Sequence, residues 1–437
     1  MRGPVVGNHR LRRRIPAEWS APVLLGVVSI LVLPGCGEDR ADNLAAFAPP
    51  AKRFDAGSEA IATFTVAEEP DVTIGVVEGE VPYNLTGVTG ATRLSDGTIV
   101  VANCASGELR YFDRAGRFVR SVGRKGKGPG EFSYLRRLLA FRGDTLAVPD
   151  PMEARITIFA PHGDLVRTIP LGPVSAQFLD VLGRMSDGSF VARRLDYRTS
   201  AEEGMRYRAT VTLLRLDGNT GVPLDSIIDL PATDMLAPPT PGGPYLTLRL
   251  RRAAVFAVHA GGVFYGGQDE AGIIEFDSAL KRVSVTETIT RSEPVTQEMK
   301  NAFQEMMDEG EDIPEGGVGP ANAAEYAPSM PAFGDIVMGR DGRLWVQDPI
   351  RPGHYPLIWT AYRGGEAVSR VEIPPRFFPF EFGSDWVLGV SFDDLAVERI
   401  ELRRFVPGRL LGRVLPPREA EPPSIASTAR CGAWASR

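Results

Sequence analysis

The chain has 437 residues, 43% of them hydrophobic and 24% charged, which excludes a disordered or fibrous protein and leaves ample material for a large core. Forty-nine basic against 55 acidic residues give a formal net charge of −6, so nucleic acid is not an expected partner. Forty-seven glycines and 36 prolines point to many turns, and three cysteines are too few for a disulfide framework.

In chain order, Arg2, Arg10, Arg12, Arg13 and Arg14 precede an apolar run of 13 residues, 21–33, and then Leu33-Pro34-Gly35-Cys36. A basic start followed by a short apolar stretch predicts a bacterial signal peptide over residues 1–35, the run being short of the ~20 residues that span a bilayer. Its end resembles a lipobox. That resemblance implies acylation of Cys36, with Gly37 after it implying the outer membrane. Without residues 1–35, which carry five arginines and one glutamate, 44 basic and 54 acidic residues remain, a net charge of −10. Residues 36–62, rich in Ala, Pro and charge, read as a lipidated tether. Cys104 and Cys431 are then either two free thiols or one pair.

Residues 90–132 carry a pattern that recurs along most of the chain. Four apolar runs, 91–94, 99–102, 109–112 and 118–122, are separated by Ser95-Asp96-Gly97, a small-residue loop and the turn at 113–116. That spacing fits four antiparallel strands. A unit of this size cannot bury a core alone, which implies stacking into a ring. Equivalent turns end at Gly97, Asp144, Gly188, Gly262, Gly342 and Asp385, at intervals of 47, 44, 74, 80 and 43 residues. Three intervals have the length of a propeller repeat and two carry insertions. The fold class read from this is all-β, a six-bladed β-propeller over residues 63–407, with a tail at 408–437 that has no strand period. The sixth blade lacks a fourth strand, and Thr73-Ile74-Gly75 matches Ser121-Val122-Gly123. Residues 72–76 are therefore expected to complete blade six and close the ring.

Gly126, Gly128, Pro129, Gly130, Glu131 and Phe132 spell GKGPGEF, which resembles the blade junction of NHL-type and related TolB-like six-bladed propellers. The resemblance implies the fold more firmly than a function, since such propellers serve as binding scaffolds and, in some branches, as enzymes. As a phosphate loop the stretch fails, because no Lys-Ser/Thr pair follows its last glycine. Calcium-dependent lactonases share the ring and hold their metal with Glu, Asn and Asp at the channel mouth; no stretch here matches their motifs.

The candidate ligand contacts are Asp150, Asp269 and Asp348, which end second strands, and Arg193 and the basic run with Arg251 and Arg252, which flank the long segments of blade three. His354 completes the set, in the loop 351–356. His162 and His259 read as structural, and no histidine pair, CxxC or GxSxG suggests a metal or nucleophile, so no cofactor is expected. Within 292–331 a helix is expected, with Thr296 as N-cap, Val295, Met299, Phe303 and Met306 or Met307 on one face, and Gly310 as its stop. If strands run from the channel outward in each blade, the long segments at 193–208, 231–252 and 292–331 share one face, and the tether reaches residue 72 from the opposite, plain face. Together these features predict a binding or scaffold lipoprotein of the cell envelope, periplasmic or surface-exposed, touching the membrane only through its lipid and its protein or small-molecule partner through the loop-rich face. The alternative is a metal-dependent hydrolase or lactonase of the same fold.

Overall fold

The computed structural model describes residues 61–408 other than 173–178, 198–201, 239–242, 244, 270–271, 309–324, 353–356 and 394. The expectations on the signal peptide, Cys36, Gly310, His354, Cys431 and the C-terminal tail lie outside these residues. The chain divides into two units, Met1–Ala48 and Pro49–Arg437, and every described residue belongs to the second.

Two strands, β1 (Ala62–Val66) and β2 (Val72–Ile74), precede the first blade. Blade one is β3 (Val88–Arg93), β4 (Ile99–Asn103), β5 (Glu108–Phe112) and β6 (Phe118–Val122); blade two is β7 (Leu139–Ala140), β8 (Leu146–Asp150), β9 (Arg155–Phe159) and β10 (Leu165–Pro170). Blade three is β11 (Leu179–Arg184), β12 (Phe190–Asp196), β13 (Arg206–Leu216) and β14 (Pro223–Leu236), with the short β15 (Leu246–Thr247) added to its edge. Blade four is β16 (Val255–His259), β17 (Gly262–Gly266), β18 (Gly272–Asp277) and β19 (Arg282–Glu287), and the helix α1 (Gln297–Asp308) separates it from blade five. Blade five is β20 (Ile336–Met338), β21 (Leu344–Gln347), β22 (Leu357–Arg363) and β23 (Glu366–Ile373), and blade six supplies β24 (Phe377–Phe382), β25 (Trp386–Phe392) and β26 (Glu398–Pro407). All neighbours within a blade are antiparallel. The protein is a six-bladed β-propeller, and the helical insertion falls between blades four and five.

Residues from the two ends of the ring meet in the sixth blade. β2 pairs antiparallel with β26, Val72 opposite Leu402 and Ile74 opposite Ile400. Ile74 is fully buried in a cluster that joins blades six and one through Val390, Ile400, Val101 and Phe112. The turn at Gly116, φ +80°, lies against this strand so closely that an added Cβ would sit 2.9 Å from Val72 Cγ1. The pairing ends at Ile74, and Val76 is already exposed.

The segment at 62–66 begins at the last residue expected of the tether and, against expectation, is a strand. β1 runs parallel to β23 (Ala62 opposite Ser369) and antiparallel to the end of β26 (Val66 opposite Phe405), welding the outer edges of blades five and six. Phe64 and Val66 pack on the core beneath, which includes Trp345 and Phe382. Blade three also exceeds its expected bounds. β12 continues four residues past Ala192, and β13 and β14 continue above the ring with Arg206 opposite Leu236 and Tyr207 opposite Met235. Tyr207, Ala209, Met235 and Ala237 form a separate small core there, so the extension buries one face of its own. Cys104, buried directly after β4, is disulfide-bonded, and its partner lies outside the described residues.

Replacing Ile74 with Ala removes three buried carbons at the ring's closure and is expected to cost about 2–5 kcal/mol, whereas Val76→Ala on the exposed continuation should change stability by less than about 0.5 kcal/mol. Urea unfolding of the two variants side by side checks this.

Candidate functional site

The first strands of the six blades surround a central channel. Its cavity, about 950 Å³, touches all six blades through residues such as Ala91, Ala140, Leu182, Phe256, Ile336 and Phe380. The volume is that of a small-molecule site. The two ends of the channel differ in chemistry.

At the end where first strands turn into second strands, a closed knot joins blades six, one and five. Glu381 accepts from the Thr92 hydroxyl at 2.8 Å and the Arg93 amide at 3.1 Å, and it is also bonded by Arg340, which donates to Thr92 Oγ1 at 2.8 Å. One cation meets one carboxylate.

At the opposite end, where first strands begin, three arginines face one aspartate. Asp180 in β11 sits opposite Arg193 in β12, and Arg193 Nε reaches its Oδ2 at 3.1 Å. Arg136 and Arg137, in the link entering β7, approach the same carboxylate at 3.2 and 3.7 Å. Arg193 also donates to the Ala254 carbonyl at 3.0 Å and stacks over Phe256, 5.6 Å from its ring centre. Burial would raise the Asp180 carboxyl, but the charges of Arg137, Arg193 and Arg136 outweigh it and hold it down at about 2. Asp335, at the start of β20, behaves oppositely: burial pushes its carboxyl up, against the Ile336 amide and the charges of Arg137 and Arg193. The mouth therefore carries three cations against one firmly ionised carboxylate and a second that resists ionisation.

Among the residues singled out from sequence, only Arg193 belongs to this mouth. Asp150, fully buried, accepts from the amides of Ser133, Tyr134, Met152 and Glu153 and so fastens the link between blades one and two. Asp269 and Arg252 meet on the insertion-bearing face with Arg208 and Asp234: Arg252 holds Asp234 through two bonds of 2.9 and 3.0 Å and Asp269 at 2.7 Å, and Arg208 bonds Asp269 as well. Two cations meet two carboxylates there, leaving no net charge. Arg251 donates to the Leu248 carbonyl at 3.4 Å. Asp348 pairs with Arg370 across blade five. His162 lends its carbonyl to Arg120, and His259 stacks on Phe264, its pKa lowered by burial against the opposing charge of Glu275. The GKGPGEF stretch is an inter-blade turn, with Glu131 accepting the Gly128 amide and Phe132 fully buried against Phe159.

Sequence reasoning missed Arg136, Arg137, Asp180 and Asp335. Adjacent arginines at the start of a first strand were the available signal; nothing in the linear order joins them to an aspartate more than forty residues on.

The three long segments do share one face and interlock. The Tyr197 and Tyr245 rings meet tilted, 5.0 Å between centres, Arg206 pairs with Glu325 at 2.6 Å, and the Arg249 and Ala327 amides bond across to the Glu325 and Arg249 carbonyls, both at 2.8 Å. Helix α1 is capped as expected, Thr296 Oγ1 accepting from the Met299 amide at 3.2 Å, with Phe303 and Met306 buried. Arg249 lies 5.5 Å from the rings of both Phe303 and Tyr326. The helix thus belongs to an annexe built over blades three to five, not to the channel wall.

Residues 83–181 match the family DUF5128, described as a 6-bladed beta-propeller. No curated protein sequence matches the chain. Similar solved structures include a member of the duf4221 family from Bacteroides vulgatus, 9% identical over 79% of this chain and 99% of that one with a TM-score of 0.46. Virginiamycin B lyase from Staphylococcus aureus is 10% identical over 80% and 90% of the two chains, TM-score 0.37. Regucalcin from Agrobacterium tumefaciens, a calcium-binding protein, is 11% identical over 81% and 100%, TM-score 0.39. The six blades rest on their own sheet pairing and on the family match.

Ionised Asp180 stabilises the fold by about 2 kcal/mol, the equivalent of lowering a carboxylate from about 4 to about 2. Because the folded value is depressed, that contribution is complete at neutral pH and is lost as pH falls through the range from about 4 to about 2. Asp180→Asn should therefore lose roughly 2–3 kcal/mol in urea unfolding at pH 7, and its deficit against the parent should shrink to about half at pH 3.

Proposed function

We propose that the protein is a lipid-anchored binding propeller of the bacterial cell envelope that admits a small ligand to its channel through the insertion-bearing face. The observation that carries this reading is the mouth itself: Arg136, Arg137 and Arg193 around Asp180 at one end of a cavity of about 950 Å³. Such a constellation binds rather than reacts, since guanidinium groups stay protonated and offer neither a base nor a nucleophile.

The alternative, a metal-dependent hydrolase or lactonase, fits these residues poorly. The two carboxylates at the mouth, Asp180 and Asp335, stand among three guanidinium groups, a donor set that repels a divalent cation. Among the described residues no three His, Cys, Asp or Glu side chains gather as a metal set.

The anchor belongs to the same proposal. No helix among the described residues is long and apolar enough to cross a membrane, and acylated Cys36 would supply the attachment. β1 enters beside β23, Ala62 opposite Ser369, four residues beyond the plain-face turn at Gly364-Gly365. A tether arriving from that side leaves the mouth and the annexe directed away from the membrane, toward a periplasmic or external ligand.

Ala140 lines the channel and is half-buried. Ala140→Trp should block it: protein purified from envelopes, denatured and extracted for mass spectrometry should yield a small molecule that is absent from the variant, and identical extracts would refute the channel as binding site. Cys36→Ser should shift the protein from the membrane to the soluble fraction on cell fractionation; a membrane-bound variant would remove the lipid from the proposal.

A further inference from the structure

The charge at the channel mouth narrows the class of ligand, an inference that rests on the binding reading proposed for the channel. Two of the arginine and carboxylate clusters around the channel and on the insertion face are balanced. Arg340 with Glu381 is one against one, and Arg208 and Arg252 with Asp234 and Asp269 are two against two. Each of these uses its guanidinium donors on carboxylates, carbonyls or hydroxyls within the protein. They read as structural.

A third is unbalanced. Arg136, Arg137 and Arg193 face Asp180 and Asp335, a surplus of one positive charge with both carboxylates ionised and of two when Asp335 is neutral. The surplus also has donors to offer. Arg137 is 39% exposed and makes, among the described residues, only the 3.7 Å ion pair to Asp180, which is beyond hydrogen-bonding distance. Arg136 is 44% exposed, places Nε on Asp180 at 3.2 Å and also interacts with the Tyr134 side chain. Both side chains line the cavity, as do Tyr134 and Phe256, while the walls beyond them are apolar at Ala91, Leu138 and Ala140. Asp180 and Arg193 act as the fixed base of the arrangement, paired across β11 and β12 and held to the Ala254 carbonyl. Planar guanidinium forks presented side by side match the paired oxygens of a carboxylate or phosphate.

We infer that the channel is a site for a small organic anion, whose carboxylate or phosphate group lies against Arg136 and Arg137 at the insertion-bearing mouth and whose apolar body extends between Phe256 and the aliphatic wall. The charge of such a group, one to two, equals the surplus. An apolar body suits the stretch of wall formed by Ala91, Leu138, Ala140 and Phe256, where a polar group would lose its water without replacement.

The test uses the full chain in detergent and three probes of one shape: phenyl phosphate, benzoate and, as the uncharged control, benzyl alcohol, each titrated calorimetrically. Phenyl phosphate and benzoate should bind at least about tenfold more tightly than benzyl alcohol. Arg137→Gln, which removes one of the three charges facing Asp180 but no direct hydrogen bond to it, should weaken both anions by about fivefold or more, and the double variant R136Q/R137Q by about twentyfold or more. Arg117→Gln, an exposed arginine of the plain-face turn in blade one, should leave both unchanged. Urea midpoints of the single variant guard against a loss that reflects unfolding. Equal binding of the alcohol and the anions, unchanged anion affinity in the double variant, or no heat from either anion at about 10 mM would overturn the proposal. If the anions fail while Ala140→Trp still strips the native ligand, the charge assignment falls and the channel reading stands; if Ala140→Trp strips nothing, both fall.

Discussion

A ring of stacked sheets depends on its closure. Each four-stranded blade is hydrophobic on both faces and is covered only by its two neighbours, so an open ring would leave two sheet faces in water. Here the closing contact is backbone pairing between β2 and β26, reinforced by the burial of Ile74 among side chains of blades six and one. β1 extends the same contact along β26 and adds a parallel pairing to β23, so the last two blades form one nine-stranded sheet. The N-terminal segment is thereby integral to the ring, and any pull on a tether attached to it would act first along β1, which is held by hydrogen bonds on both sides.

Closure leaves a second problem, the links that carry the chain from the outside of one blade to the first strand of the next. Their amides run over the end of the ring and must be satisfied. The protein solves this with one polar side chain at or just after the end of a second strand. Asn103 accepts the Thr86 amide at 2.7 Å, Asp150 the Ser133 amide at 2.8 Å, Gln268 the Ala253 amide at 2.7 Å and Gln347 the Asp335 amide at 3.1 Å. All four side chains are buried. Glu398 takes a comparable part between blades six and one, accepting from Gly87 and Val88. These polar residues at strand ends are latches, which is why Asp150 cannot also serve as a free ligand contact. With the links fixed in this way, the side chains that precede the first strands, Arg136, Arg137 and Asp335 among them, are delivered to the channel mouth.

The annexe above blades three to five results from strand length. β13 and β14 outrun their neighbours, and the surplus hairpin can bury its apolar alternation only against the other insertions, giving the clusters around Tyr207 and Leu248. Arginine serves there as cement: Arg206, Arg208, Arg249 and Arg252 each bridge segments distant in sequence and each meets a carboxylate, an amide oxygen or an aromatic ring. The same residue type at the channel mouth does something different because its partners are too few. Charge balance, not residue identity, separates the structural arginines from the candidate binding ones.

Much of the fold was legible in the linear chain. Turn dipeptides recurring at 47, 44 and 43 residues, with alternating apolar runs between them, define the blades, because a period-two pattern bounded by turns has few other uses in so long a chain. The missing fourth strand after Phe405 and its match at Ile74 likewise disclosed the closure, since unpaired sheet edges are costly wherever they occur. Two elements escaped. β1 is five residues with no turn marking its start, and its strand character depends on edges offered by β23 and β26; the extension of blade three depends on a core that exists only once the insertions meet. The site was less legible still. Arg193 could be named as a basic residue beside a long segment, but its partner Asp180 is set by the register of β11 on β12, and Arg136 and Arg137 join them only through the packing of blade two on blade three, across which distance along the chain carries no information. Sequence periodicity determines where strands lie and how many blades they make, because it reflects local backbone geometry and burial. The net charge of a channel mouth is a sum over residues from separate blades, and only their tertiary arrangement decides which charges are cancelled.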